Sequence, residues 1–323
     1  MSASNEISTS IPVTGLNRVC VGFGTVQQGI ASKQFVASAA TAKALVTLIK
    51  PEITFMVMIS AGVSCLMASN SLNLIVLTNT IFGTGLVAAG AATLNQFTER
   101  VLDGTMRRTA RRPLPAGMLT PHAALIFGIL LSVAGTIYLI LFLNLLTALL
   151  GLLTLLSYLF IYTPLKRKTR WCTLVGAIPG AAPAFMGWAA VQNNLGLEAC
   201  ALFAILFLWQ FPHFYAISWL YREDYARAGM LMLPAVDDDD GGTTFLYISF
   251  SAQLLIVVTA ALTFILHMGL RYFLLAMILG FSFSYIADRA SVSRSKAAAK
   301  KLVHASVIYL PLLYLAMLLD KFK

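Results

Sequence analysis

The sequence predicts an all-α, polytopic membrane protein with nine transmembrane helices. Three observations lead there. First, 59% of the 323 residues are hydrophobic, only 11% are charged, and the mean hydropathy is +0.81, too apolar for a water-soluble chain of this length. Second, the apolar runs continue for roughly 20 residues without alternating, which suits helices and not the strands of a barrel. Third, all but three of the 23 Lys and Arg residues fall on one side of a nine-span alternation, the exceptions being Arg271, Lys321 and Lys323. That bias places the N-terminus in the cytoplasm and the C-terminus outside, and a miscounted span would break it. The same sorting accounts for a net charge of +10 without any nucleic-acid partner.

Residues 1–42 read as a cytoplasmic N-terminal extension and 43–323 as the membrane domain. The extension is polar and lacks a charged segment followed by an apolar core, so the first span is expected to be the insertion signal, in a bacterial plasma membrane. A short interfacial helix is expected over Ser38–Ile49, and Pro51 suits the opening turn of the first span. Spans follow at 52–69, 74–97, 121–142, 145–162, 171–191, 196–217, 244–267, 270–288 and 303–320. Their outer connections, SNSLN, LN and QNNLGLE, are short and nearly uncharged. Cys20, Cys65, Cys172 and Cys200 form no CxxC and imply neither a disulfide framework nor a metal site. Small residues such as Gly83, Gly90, Gly180 and Gly187 suit close helix packing. Pro179 and Pro183 must kink the fifth span or free carbonyls that a neighbour has to satisfy.

The stretch NQFTERVLDGTMRRTARRPLPAG, residues 95–117, carries the most pointed chemistry. Asn95, Glu99 and Asp103 recur every four residues, so on a continuing helix they share one face. Glu99 and Asp103 would repel at that spacing unless a cation or donor sits between them. With Arg100, Arg107, Arg108, Arg111 and Arg112 beside them, the segment suits a magnesium-bound phosphate at a membrane surface. The bland alternative is a solvated helix end with pairs such as Asp103–Arg107.

A second polar cluster ends the sixth span, in FLWQFPHFYAISWLYREDYARAGM. There Arg222 and Asp224 repeat the residue types of the first cluster and suggest two facing half-sites. His213 follows Pro212 and either hydrogen-bonds a neighbour or ligates a metallated porphyrin. Asp237–Asp240 cannot converge on one point along regular backbone and read as a solvated loop ahead of a helix. The basic turn Lys166–Arg170 either holds phosphate oxygens or follows the positive-inside rule alone.

These segments resemble the intramembrane prenyltransferase superfamily, and within it the protohaem IX farnesyltransferase (haem O synthase) branch. Residues 95–117 are similar to the superfamily's first aspartate-rich motif, with Glu99 where that branch commonly carries Glu. YTPLKRKTRWCTLVGAIPGAAPAFMGWAA (162–190) and WQFPHFYAISWLYREDYARAGMLMLP (209–234) are similar to the haem branch. Glu223-Asp224 departs from the repeated aspartates of quinone-directed members. The resemblance implies nine helices around a central cavity, capped by the cytoplasmic loops after the second and sixth spans. It implies Mg²⁺ on Asn95, Glu99, Asp103 and Asp224, with farnesyl diphosphate and haem B as substrates. Arg107, Lys166, Arg170 and Arg222 are then expected to stabilise the leaving diphosphate, and His213, Tyr162, Trp209 and Tyr221 to contact haem. Membrane lipid and a haem A synthase or terminal oxidase assembly are the implied partners.

Two other readings stand beside this one. Prenyl transfer to a quinone or other aromatic precursor would share the magnesium cluster without needing His213. A non-enzymatic haem carrier or transporter would need no paired carboxylates, and the inverted repeats common in transporters are not evident.

Overall fold

The structure, a computed structural model, describes residues 40–322, so nearly all of the 1–42 extension expected from the sequence lies outside the described residues. Among those residues every regular element is helical, and nine helices are long and apolar enough to cross a membrane. They are α1 (Pro51–Ala68), α2 (Leu74–Thr105), α3 (Pro121–Phe142), α4 (Leu145–Leu165), α5 (Cys172–Gln192), α6 (Leu197–Leu220), α7 (Gly242–Ile265), α8 (Leu270–Ser293) and α9 (Lys296–Lys321). The chain is an all-helical, multi-pass membrane protein. A short helix over residues 40–48 precedes α1, within the expected interfacial segment.

The helix starts follow from side chains that can satisfy the first free N–H groups. Asn73 accepts from Ile75 and Val76 N at 3.1 and 3.2 Å, Asn144 from Thr147 N at 2.8 Å, and Ser295 from Ala298 N at 3.1 Å. The Asp run forms such a start. Asp237 and Asp239 each accept from a threonine at the opening of α7, both the N–H and the hydroxyl of Thr244 and Thr243 respectively.

Several helices run further than their apolar stretches, three of them most clearly. α2 continues eight residues past 97 to Thr105, α8 reaches Ser293, and α9 begins at Lys296 instead of 303. Hydrophobicity marks where the chain leaves hydrocarbon. Backbone hydrogen bonding continues beyond that point, because segments such as KAAAKK are rich in strong helix formers. α4 contains a π-helical segment, Ser157–Tyr162, which no sequence pattern indicated.

Each span packs on the next, and α9 returns to α1, where the Tyr314 hydroxyl donates to Ser60 Oγ at 3.0 Å. Further contacts cross this ring, chiefly α1 with α5 and α6 with α9. The α1–α5 crossing depends on Gly187, because a Cβ there would overlap the Ala61 carbonyl oxygen. Ser64 donates to the Ala184 carbonyl at 2.6 Å, and Gln210 donates to that of Ala177 at 3.0 Å, so neighbouring helices bond to α5, though not at the Val175 and Pro179 carbonyls that Pro179 and Pro183 free. Large apolar side chains such as Ile75, Leu130, Phe160 and Phe264 are exposed, as lipid-facing surfaces require.

Candidate active site

The extension of α2 decides the site, because it carries Asn95, Glu99 and Asp103 on one continuous helix. All three are buried, at 1%, 6% and 1% exposure. Each receives a cation from a different part of the chain. Lys50, just before Pro51 of α1, donates Nζ–H to Asn95 Oδ1 at 3.2 Å. Lys166, beyond the end of α4, meets Glu99 Oε1 at 2.7 Å. Arg112 reaches back to both oxygens of Asp103, at 2.9 and 2.7 Å. The pair Asp103–Arg107 expected from i,i+4 spacing is therefore replaced by Asp103–Arg112. The segment after Thr105 leaves the helix, and Thr109 Oγ1 donates to the Asp103 carbonyl at 2.8 Å, which brings Arg112 back to the ladder.

The π-helical segment of α4 shapes the opposite wall. Thr163 Oγ1 donates to the Tyr158 carbonyl at 2.9 Å and accepts from Asn95 Nδ2 at 3.2 Å, which orients the amide so that Oδ1 faces Lys50. The Lys166 ammonium lies 4.6 Å from the Tyr162 ring centroid. Burial opposes the Lys166 charge, but Tyr162 and Glu99 outweigh it and the pKa is raised. At Lys50, burial together with the neighbouring Arg112 and Lys166 charges lowers the ammonium to about 7. Three cations face two carboxylates, so the neighbourhood is receptive to an anion.

The second cluster closes on the first through its backbone. Asp224 Oδ2 accepts from Arg108 N at 3.2 Å, and Oδ1 pairs with Arg227 at 2.8 Å. Burial raises the Asp224 pKa, but these donors outweigh it and hold the carboxyl below its ordinary range. The Arg108 guanidinium sits over Tyr221 and Tyr225, 5.0 and 5.9 Å from their centroids. Leu231 N donates to the Lys166 carbonyl at 2.6 Å, tying the third loop in.

Other expected site residues lie at the same end with different contacts. Arg222 stacks on Trp219 at 4.2 Å, Arg170 is exposed beside Trp171 at 5.8 Å, and Arg107 is exposed. His213 and Trp209 lie along α6, stacked on each other and bonded to Ser306 of α9. Lys50, Thr163 and Ser306 were not singled out by sequence, and Arg112 was named only as one of five arginines in its segment, not as the partner of Asp103. The signal for Lys50 was its place directly before Pro51, at the mouth of α1.

Comparison with known proteins places the chain in a family. The UbiA prenyltransferase family matches residues 55–310. The chain is 47% identical over 287 residues to a protoheme IX farnesyltransferase from Solibacter usitatus, covering 85% of this chain and 98% of that protein. The chain belongs to the UbiA prenyltransferase family. A protoheme IX farnesyltransferase from Koribacter versatilis is 41% identical, covering 85% of this chain and 92% of its own length. Among solved structures, one of digeranylgeranylglyceryl phosphate synthase has a TM-score of 0.72 at 20% identity, covering 88% of this chain and 99% of that one. A UbiA homolog from Archaeoglobus fulgidus bound to GPP and Mg²⁺ has a TM-score of 0.62 at 12% identity, covering 85% and 99%. These establish a shared fold.

The donor set of this UbiA-family chain fits a hard divalent ion. Among the described residues, no group of three or more His, Cys, Asp and Glu side chains gathers as a metal site. The ladder offers two carboxylates and an amide, all oxygen donors, each engaged in this structure by Lys50, Lys166 or Arg112. Magnesium is commonly held by one or two carboxylates with the remaining positions taken by water and substrate phosphate.

Proposed function

We propose that the chain transfers a farnesyl group from farnesyl diphosphate to a vinyl group of haem B, with water addition and diphosphate release, giving haem O. The observation that carries the reading is the buried Asn95–Glu99–Asp103 ladder in a chain up to 47% identical to protoheme IX farnesyltransferases. Asn95, Glu99 and Asp103, with Asp224 on the facing loop, would hold Mg²⁺. When bound, the ion supplies charge neutralisation at the diphosphate and assists its departure.

The chain's own residues do the rest. Arg107, Lys166, Arg170 and Arg222 supply positive charge to the leaving diphosphate. The farnesyl tail lies among the apolar helices, in a central cavity between them. Its C1–O bond breaks as the terminal vinyl carbon of haem B bonds to C1. The cation left on the adjacent carbon takes water and loses a proton, which gives the hydroxyl of the product. The links from Arg108 N to Asp224 and from Leu231 N to Lys166 hold the loops over the ladder and keep water out until C–C bond formation. His213, Tyr162, Trp209 and Tyr221 are the residues proposed to meet haem.

The lysine and arginine bias supports a site facing the cytoplasm in a bacterial inner membrane, with the N-terminus inside and the C-terminus outside. Residues 43–323 form the prenyltransferase domain in this reading, and a haem A synthase or terminal oxidase assembly would receive the product. The test is incubation of purified protein with haem B, farnesyl diphosphate and Mg²⁺, followed by mass analysis. Farnesylated, hydrated haem is expected. Transfer to an aromatic acid with haem unchanged, or haem binding without any transfer, would overturn the reading.

A further inference from the structure

Between α6 and α9, Ser306 is fully buried while His213 beside it remains partly open. The Ser306 hydroxyl lies 2.7 Å from the Val303 carbonyl and 2.7 Å from His213 Nδ1. A hydroxyl has one proton, and a carbonyl oxygen can only accept it. With that proton directed to Val303, Ser306 presents a lone pair to the imidazole, and Nδ1 brings the hydrogen to the contact. Nε2 then carries the free lone pair, and no described residue donates a hydrogen bond to it. Trp209 completes the mount. Its indole N–H donates to the Ser306 carbonyl at 2.8 Å, and its ring lies 4.8 Å from the His213 ring with planes 16° apart. One residue of α9 thus anchors both rings.

We propose that Ser306 is a positioning residue that holds His213 in the Nδ1–H tautomer and presents Nε2 to the iron of the porphyrin substrate. This rests on the haem reading given above. Ligating histidines generally donate their second N–H to an acceptor that sets the tautomer and ring orientation. A neutral hydroxyl makes the imidazole less electron-rich than a carboxylate would. That suits a porphyrin that must leave as product, where a permanently bound cofactor would call for tighter ligation.

The experiment uses the full-length protein in detergent, titrated with haem B. Absorption reads affinity, and resonance Raman of the ferrous adduct reads the iron–histidine stretch. Ser306→Ala is expected to weaken haem binding about 10-fold and to shift that stretch. Ser306→Thr keeps the hydroxyl and restores both. Ser306→Cys keeps the side chain's shape with a somewhat larger atom, replaces the oxygen acceptor with a weak sulfur one, and reads the same shift in a second background. Farnesyl diphosphate binding, measured on the same samples, stays at the wild-type level if the fold is intact. His213→Ala loses the iron–histidine band altogether. A band that survives in H213A would overturn the haem reading of His213 and this proposal with it. A band lost in H213A but unchanged in S306A and S306C would overturn the role of Ser306 alone.

Discussion

At the α2 ladder, Glu99 and Asp103 are buried and each meets a long cation drawn from elsewhere in the chain. At the segment after α6, Glu223 is exposed and pairs with Lys296 at 2.8 Å, while Asp224 commits its oxygens to a backbone N–H and to Arg227 three residues on. Both clusters have the same residue types and both contain ion pairs, and Asp224 is buried like Glu99 and Asp103, yet only the first also keeps its cations largely out of water, Lys166 and Arg112 being 12% and 23% exposed against 42% for Arg227 and 55% for Lys296. Coulombic interactions grow as the effective dielectric falls, and exposed pairs are screened. The first cluster is therefore a place where exchanging one cation for another has large consequences. The second is built as a clasp that holds the 107–112 segment against its neighbours.

The largest expected effect breaks this comparison outright. Glu99→Ala and Asp103→Ala should each lower farnesyl transfer by about a thousand-fold while leaving membrane insertion intact; wild-type turnover in both would remove the distinction between the clusters. Chelation of divalent ions should abolish transfer reversibly. Added Mg²⁺ should raise the thermal midpoint of the wild type but not of Asp103→Ala.

Next in size is Lys166→Met, which strands the buried Glu99 carboxylate. It should cost about 3–5 kcal/mol, read as a lower unfolding midpoint in detergent, and the double variant with Glu99→Gln should recover most of that loss. A single variant as stable as wild type would mean that the pair is effectively solvated. Asp224→Ala should have a smaller effect, loosening the clasp and speeding tryptic cleavage between Arg107 and Arg112, with transfer falling less than in Glu99→Ala. Smallest of all, Lys296→Ala should leave the midpoint unchanged, because both it and its partner Glu223 are exposed.

Much of the fold was legible in the residue pattern. Each uninterrupted apolar run became a membrane-spanning helix, because the transfer preference and the helix's internal hydrogen bonding are both local properties. Glu99 and Asp103 were legible for the same reason, since a four-residue spacing means one helix face whatever surrounds it. Lys50 and Arg112 were not. One stands 45 residues before its partner Asn95, and the other reaches Asp103 through a turn held by Thr109. The contact of Ser306 with His213 spans 93 residues and was equally hidden.

The sequence by itself determined that the chain is a polytopic helical membrane protein with an acidic ladder at one end of its second span, since periodicity and hydrophobicity act within single segments. Only the tertiary structure decided which cation meets which acid, that Asp224 clasps the Arg108 backbone, and which ring nitrogen of His213 is engaged. Those outcomes depend on where distant segments meet once the helices have packed, and electrostatic and hydrogen-bond partners are selected by distance in space, which separation along the chain does not encode.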